Sequence, residues 1–358
     1  MMSLWRPVAE DSFSQKGVKR LVKRQTNKRN RWKQIAVLCV LIVIAAFGAV
    51  ILLGGHKKSS LKSRESFENT GDFSQASDTS EEQSEAVPVI LDRANAITVD
   101  ITAENAIVMN TGTNAALYQK NSTDKIAPAS TAKMITALTV LDYCPPEEEV
   151  TVGAEIEMIH EDSSIAWLVQ GDTLTVRQLL IALLLPSGND AAYTLAVNAG
   201  KKIAGDNSLT NERSVEVFMD KVNEKARALG AESSNFVVPD GYDTAHQYTT
   251  AYDLAIIAKA CLDNPFISEI VACSTSYEKW VNGREVTYNN TNELLNPNSQ
   301  YYRPEVIGLK TGTSSLGGAC VVSAAVINGE TYVCVVMGSS KDTRFRDSSI
   351  ILDKIKAQ

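Results

Sequence analysis

Histidine is scarce in this 358-residue chain: the three present, His56, His160 and His246, stand far apart and show no H-E-x-x-H or comparable ligand spacing. That argues against a metal enzyme. No G-x-S-x-G elbow occurs either, which together with so few histidines argues against a Ser-His-Asp hydrolase. Cysteine is sparse as well. Cys39 lies in an apolar run, leaving Cys144, Cys261, Cys273, Cys320 and Cys334, an odd number without the spacing of a zinc site or a disulfide framework. Free, buried thiols are the expectation. Positive charge is in deficit, with 35 Lys and Arg against 42 Asp and Glu and a net charge of -7, so no nucleic-acid partner is expected. No internal repeat is evident.

The charge that is present is unevenly placed. Residues 1–34 hold ten Lys or Arg against only Glu10 and Asp11, which makes this segment +8 and the remainder -15. Directly after it, Ile35 to Leu53 is a run of nineteen residues without a charge. As a helix it would span about 28 Å, close to the hydrocarbon thickness of a bilayer. Lys28, Arg29, Arg31 and Lys33 precede the run, so the positive-inside tendency places the N-terminus in the cytoplasm and everything after Leu53 outside. The expectation is a single-pass signal anchor in the cell membrane, with a cleaved secretory signal as the alternative. Residues 54–92 are rich in Ser, Glu, Asp, Lys and Gln and poor in large apolar side chains, a composition that builds no core. They read as a flexible extracytoplasmic stalk before a domain at 93–358.

Within that domain, short strands are expected at Ala96–Ile101, Ala106–Asn110 and Ala116–Gln119, separated by turn residues. Helical patterns follow at Thr131–Tyr143, Val176–Leu185, Asp190–Ala199, Val215–Leu229 and Ala251–Leu262. Strand signals return at Thr275–Trp280 and Glu285–Tyr288, and again at Ala319–Ile327 and Thr331–Met337, where Asn328-Gly329 marks a hairpin. A last helix is expected over Asp347–Lys356. Strands at both ends around inserted helices predict an α+β domain: an antiparallel sheet flanked by helices, with a helical subdomain.

Three short motifs carry the chemistry. A serine hydroxyl is a weak nucleophile until a base removes its proton, and Ser and Lys at i and i+3 of a helical turn bring amine to hydroxyl. Ser-x-x-Lys occurs four times, at Ser59/Lys62, Ser122/Lys125, Ser130/Lys133 and Ser276/Lys279. Context separates them. Only Ser130 follows Pro128-Ala129 and opens an apolar helix through Met134, Ile135, Ala137, Leu138 and Leu141. The second motif is Ser187-Gly188-Asn189, in the break between two helices. The third is Lys310-Thr311-Gly312-Thr313 at the end of the apolar approach Val306 to Leu309, where a cation and hydroxyls can meet a carboxylate and Gly312 admits close backbone approach.

In this order, on a helix start, an interhelical loop and a strand, the set resembles S-x-x-K, S-D-N and K-T-G of penicillin-binding proteins and class A β-lactamases. The chain is most similar to the low-molecular-mass D-alanyl-D-alanine carboxypeptidases over roughly residues 93–358. The resemblance extends to Leu185-Pro186-Ser187-Gly188-Asn189-Asp190, Pro239-Asp240-Gly241, Tyr248 to Ala255 and Asn290-Thr291-Asn292-Glu293-Leu294-Leu295. It implies a β-lactamase/transpeptidase-like fold, no metal or cofactor, and a serine peptidase that removes the terminal D-Ala from peptidoglycan stem pentapeptides, with β-lactams as covalent inhibitors. It also implies roles: Ser130 as nucleophile, Lys133 as its base, Ser187 as proton donor to the departing amine, and Asn189 orienting Lys133 and the substrate. Lys310, Thr311, Gly312 and Thr313 would receive the substrate, and Arg346 would help hold its carboxylate. The alternatives are a D,D-transpeptidase, a β-lactamase-like hydrolase or a non-catalytic wall-binding protein of the same fold. A class A β-lactamase needs a Glu-x-x-x-Asn pair, and Glu232-Ser233-Ser234-Asn235 has the wrong spacing.

Overall fold

Asn105–Asn110 forms a strand, β1, buried along its whole length. Because strand side chains alternate, Ile107 and Met109 join one apolar cluster while Ala106 and Val108 join another on the opposite face. A strand covered on both sides is central. The computed structural model describes residues 89–358; the basic segment, the expected membrane helix and the stalk as far as residue 88 lie outside the described residues. Among the described residues, no helix is long and apolar enough to cross a membrane.

After β1 come β2 (Ala116–Lys120), a single 3-10 turn at Ala129–Ala132 and helix α1 (Lys133–Tyr143). The middle of the domain holds β3 (Glu149–Thr151), β4 (Thr173–Thr175), α2 (Val176–Leu184), α3 (Asn189–Ala204), α4 (Asn211–Leu229), α5 (Ala251–Asp263) and α6 (Pro265–Ala272). The chain finishes with a hairpin of β5 (Thr275–Lys279) and β6 (Glu285–Asn289), then β7 (Val306–Ser314), β8 (Gly318–Ile327), β9 (Glu330–Ser339) and α7 (Thr343–Lys356). The main sheet runs β2-β1-β9-β8-β7 and every neighbouring pair is antiparallel.

Two apolar layers sandwich this sheet. On one face Val333, Val335, Met337, Val322 and Leu309 pack with α1, α2, α3, α4, α5 and α6. On the other, Cys334, Val336, Val321 and Ala325 meet Phe345, Ile351, Leu352 and Ile355 of α7. Helix α1 is buried at every position from Lys133 to Val140, so it is enclosed between sheet and helical layer. This encloses the first turn of α1, and the lysine in it, away from water. The five cysteines of the described part are unpaired and four are buried.

The α+β architecture is the expected one, with local differences. Ala96–Ile101 is extended but outside the named strands, keeping a backbone bond from Ile97 N–H to the Leu117 carbonyl at 2.9 Å. Just beyond it, the N–H groups of Thr102 and Ala103 donate to the buried Asp347 carboxylate at 3.0 and 2.8 Å, so a side chain supplies what a strand partner would have. Strands β3 and β4 have three residues each, too few to show a period. Helix α6 begins with Pro265 after Asn264, whose side chain accepts from the N–H groups of Phe266 and Ile267.

Candidate active site

Ser130 lies in the 3-10 turn that leads into α1, and Lys133 opens that helix. Lys133 Nζ reaches three oxygens: Ser130 Oγ at 2.9 Å, Asn189 Oδ1 at 2.7 Å and the Asp240 carbonyl at 2.7 Å. A neutral amine has two N–H groups and one lone pair. Donating to Asn189 and Asp240 leaves the lone pair for the Ser130 hydroxyl, the arrangement a general base requires. Burial pushes the pKa of Lys133 down to about 8, opposed by the negative charges of Asp240 and Asp190.

The turn carrying Ser130 is held by two close backbone approaches. At Gly312 on β7, an added Cβ would stand 2.9 Å from Ala129 Cβ and 3.0 Å from Ser130 N. At Gly241, with φ of +79°, it would stand 1.9 Å from the Ala129 carbonyl oxygen. Ala129 itself has φ of +48°, a strained value for a residue with a side chain, kept by the packing around it.

Asn189 begins α3. Its Oδ1 accepts from Lys133 and its Nδ2 donates to Ser163 Oγ at 2.9 Å, while its backbone N–H donates to the Ser164 carbonyl at 2.8 Å. Ser187, two residues earlier, has φ of +69° and a buried hydroxyl with no hydrogen-bond partner among the described residues. Its backbone carbonyl accepts from Ser164 Oγ at 2.6 Å. Asp190, next in the chain, is buried and accepts from the N–H groups of Ala166, Leu168 and Ala191. It thereby ties the segment carrying Ser163 and Ser164 to the start of α3. Burial raises the pKa of Asp190, and these N–H groups act against that rise.

Lys310 is fully buried on β7 and donates to the Thr311 carbonyl at 2.9 Å. Burial lowers its pKa well below the ordinary lysine value, and the charges of Lys133 and Arg344 lower it further. The Thr311 hydroxyl is 2.6 Å from that of Thr291, whose backbone N–H donates to the Leu185 carbonyl. This is what the Asn290 to Leu295 segment does: it links the strand bearing Lys310 to the loop bearing Ser187.

Ser130, Asn189 and Thr313 line a cleft of about 610 Å³, together with Ser163, Ser164, Tyr242 and Ser314. Lys133, Ser187, Lys310 and Thr311 are buried beside it. Eight of the nine residues singled out in the sequence thus belong to one neighbourhood. Arg346 does not. Its side chain is 56% exposed and its Nε is 4.0 Å from Asp347 Oδ1. The arginine that reaches β7 is Arg344, which donates from Nη1 to the Gly312 carbonyl at 2.8 Å and to Thr313 Oγ1 at 3.1 Å. Two residues on a helix are about 200° apart, so when Arg344 faces the strand Arg346 faces away. Helix phase from the buried Phe345, Ser348 and Ile351 would have found it. The roles of Asp190, Ser163 and the Asp240 carbonyl were also not anticipated, although Asp190 and Asp240 stand inside the motifs quoted above.

A serine within hydrogen-bond reach of a buried lysine of lowered pKa, set between a sheet edge and a helical layer, is the arrangement of a serine acyl-transfer enzyme. The model of the D-alanyl-D-alanine carboxypeptidase family matches residues 92–341, and the chain belongs to that family of serine peptidases. It is 32% identical over 249 residues to a D-alanyl-D-alanine carboxypeptidase of a Streptomyces strain, covering 67% of this chain and 82% of that one. It is 28% identical over 242 residues to the carboxypeptidase DacF of Bacillus subtilis, covering 66% of this chain but only 58% of the relative. Among solved structures, the Streptomyces DD-transpeptidase superposes with a TM-score of 0.67 at 31% identity, covering 74% of this chain and 100% of that chain. A D-alanyl-D-alanine carboxypeptidase from Mycobacterium tuberculosis superposes with a TM-score of 0.63 at 29% identity, covering 74% and 95%.

Proposed function

We propose that this chain removes the terminal D-Ala from peptidoglycan stem pentapeptides through an acyl-enzyme on Ser130. The observation that carries this reading is the position of Lys133 Nζ, 2.9 Å from Ser130 Oγ with its other contacts to Asn189 and Asp240. Ser130 Oγ attacks the carbonyl between the two D-Ala residues and its proton passes to Lys133. The backbone N–H groups of Ser130 and Thr313 hold the oxyanion. As the C–N bond breaks, the leaving D-Ala amine takes a proton by way of Ser187, whose hydroxyl is unpartnered in the resting site. Water then adds to the ester, the bond to Ser130 Oγ breaks, and the serine regains its proton. Lys310, Thr311, Thr313 and Arg344 receive the terminal carboxylate, a group whose charge-assisted hydrogen bonds favour a free chain end over an internal bond.

Residues 35–53 form the membrane anchor in this reading, with the catalytic domain outside the cell on the 54–92 stalk. The long uncharged run behind a basic flank supports it. Full-length protein would remain in the membrane fraction after a high-salt wash, and a mature N-terminus just beyond Leu53 would instead mark a cleaved signal.

A second outcome shares the acyl-enzyme. If an amine rather than water resolves it, the product is a cross-link, and the likeness to the Streptomyces DD-transpeptidase favours this outcome. Mass spectrometry of a pentapeptide incubated with the full chain, with and without an amine acceptor, separates the two. Free D-Ala and tetrapeptide support the carboxypeptidase reading. A dominant peptide dimer overturns it in favour of transpeptidation, and an intact pentapeptide overturns both.

A further inference from the structure

Strand β7 is the outermost of the sheet, and Thr313 and Ser314 at its end border the cleft. An extended peptide entering there gains a strand partner. On the reading above, on which this inference rests, the attacked carbonyl lies at the Ser130 and Thr313 amides, and the carboxylate, received by Lys310, Thr311, Thr313 and Arg344, lies on the Lys310 side of it. The acyl half then leaves the opposite way, past Ser314 and Ser315 to Leu316 at the hairpin tip. Three extended residues cover roughly 10 Å, so the part of the stem peptide remote from the D-Ala end reaches that tip.

The tip is a built wall. Leu316 is 71% exposed, yet its N–H donates to Asp243 Oδ2 at 2.8 Å. Gly317 beside it is packed so closely that an added Cβ would stand 2.5 Å from the Ala127 carbonyl oxygen. Leu316 borders two hollows. One is the cleft of Ser130, and the other, of about 720 Å³, is lined by Glu104, Asn121, Asp124, Lys125 and Tyr248. In it the Lys125 ammonium lies 4.1 Å from the centre of the Tyr248 ring, and Asn121 Nδ2 donates to the Glu104 carbonyl at 2.9 Å. The lining offers carboxylates, amides and the ammonium groups of Lys120 and Lys125 side by side, which suits a chain rich in amides and hydroxyls rather than an apolar ligand or a densely charged one.

We propose that this second hollow is a subsite for the amino-terminal, sugar-linked end of the stem peptide, reached over Leu316. The enzyme then reads its substrate from the free carboxylate at one end to the glycan attachment at the other. The test compares kcat/KM of the full chain on an N-acetylated D-Ala-D-Ala dipeptide, which stops short of the hollow, and on a disaccharide pentapeptide. Wild type favours the longer substrate by roughly tenfold, and Asp124→Ala/Lys125→Ala reduces that preference to about twofold while hydrolysis of the dipeptide stays within about twofold of wild type. The dipeptide rate in the same preparation is the control for folding. Equal kcat/KM on both substrates in wild type, or an unchanged preference in the variant, overturns the subsite alone. No turnover of either substrate overturns the peptidase reading and the subsite with it.

Discussion

Lys133 Nζ and Asn189 Oδ1 lie 2.7 Å apart, a contact between residues 56 positions apart in sequence that joins the first turn of α1 to the first turn of α3. An amide oxygen at that place accepts a hydrogen bond without adding charge. A carboxylate there would favour the ammonium form and disarm the base.

With the pKa of Lys133 lowered to about 8, about a tenth of the free enzyme carries the neutral amine at pH 7. Acylation by penicillin, followed by stopped-flow fluorescence, should therefore rise about tenfold per pH unit below 8 and level off above it. Asn189→Asp should move that rise to higher pH and slow acylation at pH 7 by about tenfold or more. A rate that is flat from pH 6 to 9 in wild type would remove Lys133 as the base.

Gly312 packs against the turn that holds Ser130, and a methyl there would meet Ala129 Cβ at 2.9 Å and Ser130 N at 3.0 Å. Gly312→Ala should cost about 1–3 kcal/mol in urea unfolding, in the range of other overpacked sites. It should also slow acylation by at least about tenfold, because the strand and the nucleophile must separate. Wild-type stability together with a wild-type acylation rate would show that the strand yields without disturbing the serine.

Arg344, whose side chain lies against Gly312 and Thr313, should carry the preference for a free carboxylate. Burial lowers the pKa of its guanidinium, so an arriving anion finds a poorly solvated partner. Amidating the terminal D-Ala should lower kcat/KM by about ten- to a hundredfold in wild type, and Arg344→Ala should remove most of that difference. Arg346→Ala should leave it intact. An unchanged acid-to-amide ratio in Arg344→Ala would take the arginine out of substrate recognition.

What was legible in the sequence was what depends on short spacing. Ser130 and Lys133 are one helical turn apart, and Lys310 to Thr313 share one strand, so residue identity at fixed offsets nearly specifies their geometry. The short apolar runs of β1 and β9, bounded by turn residues, and the apolar run of α1 likewise disclosed the central sheet and the buried helix. Other parts left no such trace. The third acceptor for Lys133 is the Asp240 carbonyl, and a backbone oxygen has no residue signature. Asp190 acts through N–H groups more than twenty residues earlier in the chain. Arg344 and Arg346 are separated only by helix phase, and the resemblance along the chain pointed to Arg346 whereas the structure sets Arg344 against Gly312 and Thr313.

The central claim is that Ser130 forms the covalent intermediate, and the most direct measurement is peptide mapping of the full chain after reaction with a fluorescent penicillin. The account predicts a single adduct on Ser130, with no labelling of Ser130→Ala. An adduct on Ser187 or any other serine, or labelling that persists in Ser130→Ala, would contradict it.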